Sequence, residues 1–174
     1  MKTVLAALAM VVLAIPSRAA ARDDRLKFPI ADAMSTPAAR EKLRPDVWLY
    51  FGEAPHPEVV QKLGETVVNL KTNAFGKSDQ AACQWVFLSV VIELQKRARE
   101  AGGNAVIGIE SYYKKEVFSD ERLFMCGAGA TIAGVAFRGT IVKLAPGAPR
   151  EPPPSTAPPK DAPPVSGEAA KPAQ

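Results

Sequence analysis

From Ser78 to Ala101 the apolar positions fall at 83, 87, 90, 91, 94, 98 and 101. Steps of three and four draw one continuous stripe, so the spacing predicts a helix over 78–101. Ser78 or Asp79 can accept an orphan backbone N–H at its start. Lys96, Arg97 and Arg99 sit in the last turns, where the helix dipole favours cations. Gly102-Gly103 supplies the left-handed conformation that closes a helix. The first half of this helix is apolar on nearly every side, with seven apolar residues in the eight of "WVFLSVVI" (85–92). A helix of that kind is buried all round. Either both sides are covered within the domain, or a face around Trp85, Leu88 and Ile92 meets another subunit.

Strand patterns flank the helix. "VWLYF" (47–51) lies between Pro45 and Gly52 and reads as a buried strand. "GEAPHPE" is a turn, because its prolines bar helix and central strand. "VVQKL" is ambiguous and ends at Gly64, and "ETVVNLK" is a second strand. After the helix come "NAVIGIESYY" (104–113), "ERLFMC" (121–126) and "ATIAGVAFRGTIVKL" (130–144). The charged "KKEVFSDE" suits a hairpin connection between the first two of these. The pattern predicts an α+β domain: one long amphipathic helix packed on a small mixed or antiparallel sheet.

The ends of the chain read differently. Lys2 precedes twelve unbroken apolar residues, Val4 to Ile15, then Pro16 and the small residues Ser17, Ala19, Ala20 and Ala21. That is the grammar of a cleavable signal peptide, with the cut expected after Ala21. Twelve residues are too few to span a bilayer as a helix, which takes roughly 20. No cysteine lies near the cut to carry a lipid, so no membrane anchor is expected after cleavage, and the expected location is the periplasm. Residues 22–45 carry alternating charges and prolines with little periodicity, and read as a loosely ordered arm before a single domain at 46–145. Residues 146–174 hold ten prolines in 29 and no aromatic residue. Such a segment cannot bury enough apolar surface to offset chain ordering, and reads as a disordered, polyproline-like tail.

Charge adds little. Removing Lys2 and Arg18 with the signal leaves 20 basic against 18 acidic residues, with no clustered basic face. Nucleic acid is therefore not an expected partner.

Candidate chemistry starts at Gly76-Lys77-Ser78, where strand, loop and helix mimic a phosphate-binding loop. A G-x-x-x-x-G-K-[ST] loop needs a glycine at position 71, which is Lys71 here, so no nucleotide site is assigned. "CGAGATIAG" (126–134) places Ile132 where a dinucleotide fingerprint wants glycine or alanine, and no helix pattern follows. Its small residues instead suit close packing on the helix or a sharp twist. His56, the only histidine, lies between two prolines in an exposed turn, without converging ligands or a nucleophile. No catalytic, cofactor-binding or metal residue is assigned. Cys83 and Cys126 are the only cysteines, an even number in an oxidising compartment. They form either a disulfide or two separate buried thiols.

"LQKRAREAGGNAVIGIE" and "MCGAGATIAGVAFRGTIVKL" resemble the YbjQ-like family and its envelope relative, the RcsF-type stress-sensing domain. The shared features are a basic, alanine-rich helix, an Asn-Ala-Val turn into a strand, and a closing strand with Gly139-Thr140-Ile141-Val142, over residues 64–143. The resemblance implies a small α+β domain with no established catalytic activity. Cytoplasmic members look like ring-forming oligomers labelled heavy-metal binders, and the envelope member is a disulfide-bonded lipoprotein that reports damage to partner proteins. This chain has no cysteine–histidine cluster and no lipid anchor. Cys126 falls near a cysteine of the RcsF-type pattern, but the usual partner position corresponds to Ser111.

The expected function is a non-enzymatic periplasmic binding or envelope-sensing module with an envelope protein partner and no cofactor. One alternative is a structural homo-oligomer built through Trp85, Leu88 and Ile92. Another is a small envelope enzyme, for which Glu110 and His56 are the only candidates.

Overall fold

A computed structural model describes residues 22–146; the expected signal peptide and nearly all of the proline-rich tail lie outside the described residues. The fold is α+β, with six strands in one curled mixed sheet and three helices. In chain order these are β1 (Asp24–Pro29), α1 (Ile30–Met34), α2 (Pro37–Lys42), β2 (Trp48–Phe51), β3 (Val59–Asn73), α3 (Asp79–Glu100), β4 (Ala105–Ser111), β5 (Leu123–Ala128) and β6 (Ile132–Leu144). β6 is the hub. Along one edge it pairs antiparallel with β3 from Ile132 to Leu144. Its other edge is shared by β5, at Ala133 and Gly134, and by β4, from Phe137 to Val142. β1 extends the sheet beyond β5, and β2 runs parallel to β4.

α3 begins and ends as its sequence dictates. The Ser78 hydroxyl accepts the Ala81 N–H at 3.2 Å. At the other end Gly102 takes φ +78°, and the N–H groups of Gly102 and Gly103 reach the Arg99 and Ala98 carbonyls. These two bonds satisfy carbonyls that the helix itself leaves unpaired. Gly103 has no room for a side chain, since a Cβ there would stand 2.7 Å from Ile141.

The stretch expected as a loose arm is instead part of the domain. Leu26 and Phe28 pack on the core while Arg25 and Lys27 alternate outward, so "RLKFP" is an amphipathic strand. The prolines that resemble breakers start helices: Pro29 is the N-cap of α1 and Pro37 opens α2, where the Thr36 hydroxyl caps Ala39 N–H. Ile30, Ala33 and Ala39 are buried in the same core as α3. The sheet covers one side of the apolar first half of α3 and the N-terminal helices cover part of the other, leaving Trp85 exposed.

Two other expectations change. The ambiguous 59–63 segment does not end at Gly64 but is continuous with the next strand; Gly64 sits inside β3 at φ +137°, beside a register shift. Residues 112–122 do not tie a hairpin, because β4 and β5 each pair with β6 rather than with one another. Between them lies a short turn at Tyr113–Lys115, closed by a bridge from Ser111 to Phe118.

The inner face of the sheet carries the main core. Phe87 of α3 meets Phe124 at 4.6 Å between ring centroids and Phe137 at 5.5 Å, with Phe51 stacked behind. Gln95 is the buried polar exception on α3. Its amide donates to the Arg44 and Val47 carbonyls at 2.9 Å and accepts the Arg44 N–H at 3.0 Å. Those bonds latch the segment before β2 onto the helix.

Candidate functional site

Cys83 and Cys126 form a disulfide, with Cα atoms 6.0 Å apart, inside the range a bridge allows. Both are fully buried. The bond ties the first turns of α3 to β5 deep in the core, where a thiol partner has no approach. Its role is structural.

The residues singled out for phosphate and metal chemistry fall into local roles. Gly76 and Lys77 lie in a turn closed by the Lys77 N–H on the Ala74 carbonyl, and the Lys77 ammonium bonds the Asn73 carbonyl. Asp79, in the first turn of α3, is bridged by Arg22. The helix start is thus occupied by protein groups. Gly127 and Gly134, paired across β5 and β6, do not serve packing on α3 as their small size suggested. Both face outward beneath the Tyr113 ring, which a Cβ on Gly127 would meet at 2.2 Å. His56 is exposed, with Nδ1 2.8 Å from the Pro57 carbonyl and its ring edge-on to Tyr50. Burial pushes the Tyr50 phenol up from its ordinary value. Among the described residues no three His, Cys, Asp or Glu side chains converge as a metal site.

The outer face of the sheet holds a concavity of about 420 Å³ across β3, β6 and β4. Glu65 and Val67 line it from β3, Arg138 and Thr140 from β6, and Glu110 with Tyr112 from β4 and its end. A bulge creates this arrangement. Ile107 faces Thr140 and Glu110 faces Arg138, so three steps along β4 match two along β6. The extra residue flips the side-chain alternation. Ile109 therefore enters the core and Glu110 turns outward beside Arg138. Gly108 makes the bulge possible at φ +59°.

At the centre of the trough Arg138 Nε donates to the Glu110 carboxylate. The guanidinium lies 4.8 Å from the centroid of the Tyr112 ring. The Glu110 side chain is 20% exposed and that of Arg138 41%, so the pair is open to solvent on one side. The Glu110 hydrogen bond and charge raise the Arg138 guanidinium above its ordinary value, with lesser help from Tyr112 and Glu65. Glu110, named from sequence as a strand-end acid, is thus here, whereas His56 belongs to the separate Tyr50 patch. The partners Arg138, Tyr112 and Glu65 were not legible in advance. Their convergence depends on the bulge, and a glycine inside a strand was the available signal.

The proposed oligomer face is divided. Leu88 is only 4% exposed and Ile92 packs against the core, while Trp85 is 52% exposed with the Lys42 ammonium 5.2 Å above its ring. Among the described residues no helix is long and apolar enough to cross a membrane. In comparisons with known proteins, no family model, no curated protein and no solved structure matches this chain.

Proposed function

We propose that this chain is an exported, non-enzymatic binding module of the bacterial envelope, of YbjQ-like or RcsF-type architecture, with the outer trough as its recognition surface. The observation that carries this reading is the Glu110–Arg138 pair, partly open in a concavity built by a bulge. The bulge that turns Ile109 into the core also brings Glu110 out beside Arg138, so this stretch of the outer face is charged and part-open rather than sealed. Binding fits better than catalysis, because the one strand-end carboxylate is already engaged by a guanidinium and His56 packs elsewhere. The disulfide supports export, since it suits an oxidising compartment.

The test is to produce the full chain with its own leader, fractionate the cells, and use the recovered protein as bait in envelope extract. The expected result is periplasmic protein beginning at Arg22, without alkylatable thiols, whose retained material is lost in Glu110→Gln. Cytoplasmic protein with two free thiols, or identical retention by the variant, overturns the reading.

A further inference from the structure

The charges in the trough restrict what it can hold. Glu65 and Glu110 flank Arg138 across three neighbouring strands, with Glu65 opposite Thr140 and Glu110 opposite Arg138. An anion drawn to Arg138 meets two carboxylates. A cation drawn to the carboxylates meets the guanidinium. A neutral ligand with adjacent hydroxyls suits both, since one hydroxyl can donate to a carboxylate while its neighbour accepts from an arginine. Of the Arg138 donors, Nε is taken by Glu110, and the side chain remains 41% exposed. Tyr112 and Val67, the latter 49% exposed, add apolar surface at the rim. The volume of about 420 Å³ lies within the range of small-ligand sites, roughly 300–1,000 Å³.

We propose that the trough is a saccharide site, in which Glu110 and Arg138 take adjacent hydroxyls of a neutral glycan while Tyr112 and Val67 meet the C–H face of a sugar ring. The assignment rests on the reading of the trough as the recognition surface and adds the ligand class. In an envelope such a hydroxyl pair is offered by the free 3- and 4-hydroxyls of the non-reducing terminal hexosamine of a cell-wall glycan, the residue that chitotriose also presents. Glu65 and Thr140 supply further hydrogen bonds from the two sides of the trough, and no residue changes its covalent state.

The experiment is a two-dimensional NMR titration of the full mature chain with chitotriose, a neutral hexosamine trisaccharide, with separate arms for inorganic phosphate and for spermidine. Saturating shifts are expected for the backbone amides of Gly108, Gly139 and Thr140, with an affinity of about millimolar. Glu110→Gln and Tyr112→Ala should each weaken binding about tenfold, the loss of one charged hydrogen bond or one ring contact. A retained amide spectrum away from the trough shows that each variant is folded, and Glu65→Gln, on an exposed edge position, gives a second probe of the same site. Absence of saturable shifts with chitotriose, shifts elsewhere on the molecule, or undiminished affinity in all three variants overturns the saccharide assignment. Saturation by phosphate or spermidine instead overturns it as well, while leaving the trough as a recognition surface. Undiminished retention of envelope material by Glu110→Gln would remove that surface itself.

Discussion

On its inner face the sheet presents Val68, Val106, Phe124, Phe137 and Ile141 to α3, all buried in one core. On its outer face the same strands present Glu65, Glu110, Tyr112, Arg138 and Thr140, none of them fully buried. β6 contributes to both, with Phe137 and Ile141 inward and Arg138 and Thr140 outward, as strict alternation requires. β4 also contributes to both, Val106 inward and Ile107 outward, and the bulge at Gly108 resets its alternation so that Ile109 faces in and Glu110 out. On the proposed reading, stability rests mainly on the inner face and recognition on the trough of the outer one, so substitutions in the core and in the trough should separate.

The largest effect is expected from the inner face. Phe87 is fully buried among Phe51, Phe124 and Phe137. Phe87→Ala should lower stability by about 3–5 kcal/mol, through lost transfer energy and the cavity left behind. Urea denaturation followed by tryptophan fluorescence measures it. A loss under about 1 kcal/mol would mean the core is loosely packed. The Cys83–Cys126 bridge closes a separation of 43 residues, for which chain entropy gives about 4 kcal/mol as an upper value. A Cys83→Ala, Cys126→Ala double variant should lose somewhat less, while retaining any ligand affinity of the trough. A variant that stays as stable but loses binding would reverse the division between the faces.

The outer face is not free of structural demands, and Gly127 marks where they begin. A methyl group there would collide with the Tyr113 ring at 2.2 Å. Gly127→Ala should cost about 1–3 kcal/mol, as over-packed sites do. The same change in a Tyr113→Ala background should cost much less, because the clash is gone. Equal costs in the two backgrounds would place the strain in the backbone rather than the ring. Gly108→Ala is a smaller perturbation, since open space surrounds the position and only φ +59° opposes it. About 1 kcal/mol is expected. Loss of trough binding by this variant, with the core intact by amide exchange, would tie recognition to the bulge.

Legibility followed locality. α3 was readable to within a residue or so because its stripe, its Ser78 cap and its Gly102 terminus are all short-range signals. The strands around 47–51, 104–113, 121–126 and 130–144 were readable for the same reason. The N-terminal segment was misread because Pro29 and Pro37 signal loop in isolation and helix start in context. Its burial also depends on a partner, the far side of α3, that lies some fifty positions away in the chain. Pairing was least legible. Nothing local distinguishes a β4–β5 hairpin from two strands sharing the same edge of β6. The trough inherits that difficulty, since Glu110 and Arg138 meet only through this pairing and the bulge within it.

The smallest effect concerns the junction where β1 docks, and it separates charge from shape. Asp23 accepts hydrogen bonds from the Lys114 ammonium and Tyr113 hydroxyl, and pairs with Arg25. Lys114, then Arg25, holds its carboxyl below the ordinary value of 3.8. A carboxyl depressed in the folded state adds stability that is present above its unfolded value. That contribution fades as the pH falls through the folded value. The unfolded midpoint shift between the wild-type chain and Asp23→Asn should thus be constant at neutral pH and shrink below about pH 4. Urea titrations of both proteins from pH 7 to about pH 2.5 test this, with every other carboxyl common to the pair. Because Asp23 is solvent-exposed, salt should reduce the difference as well. A difference independent of both pH and salt would show that Asp23 holds β1 through hydrogen-bond geometry alone. Disappearance in step with the acid limb would assign the docking of the N-terminal strand to charge.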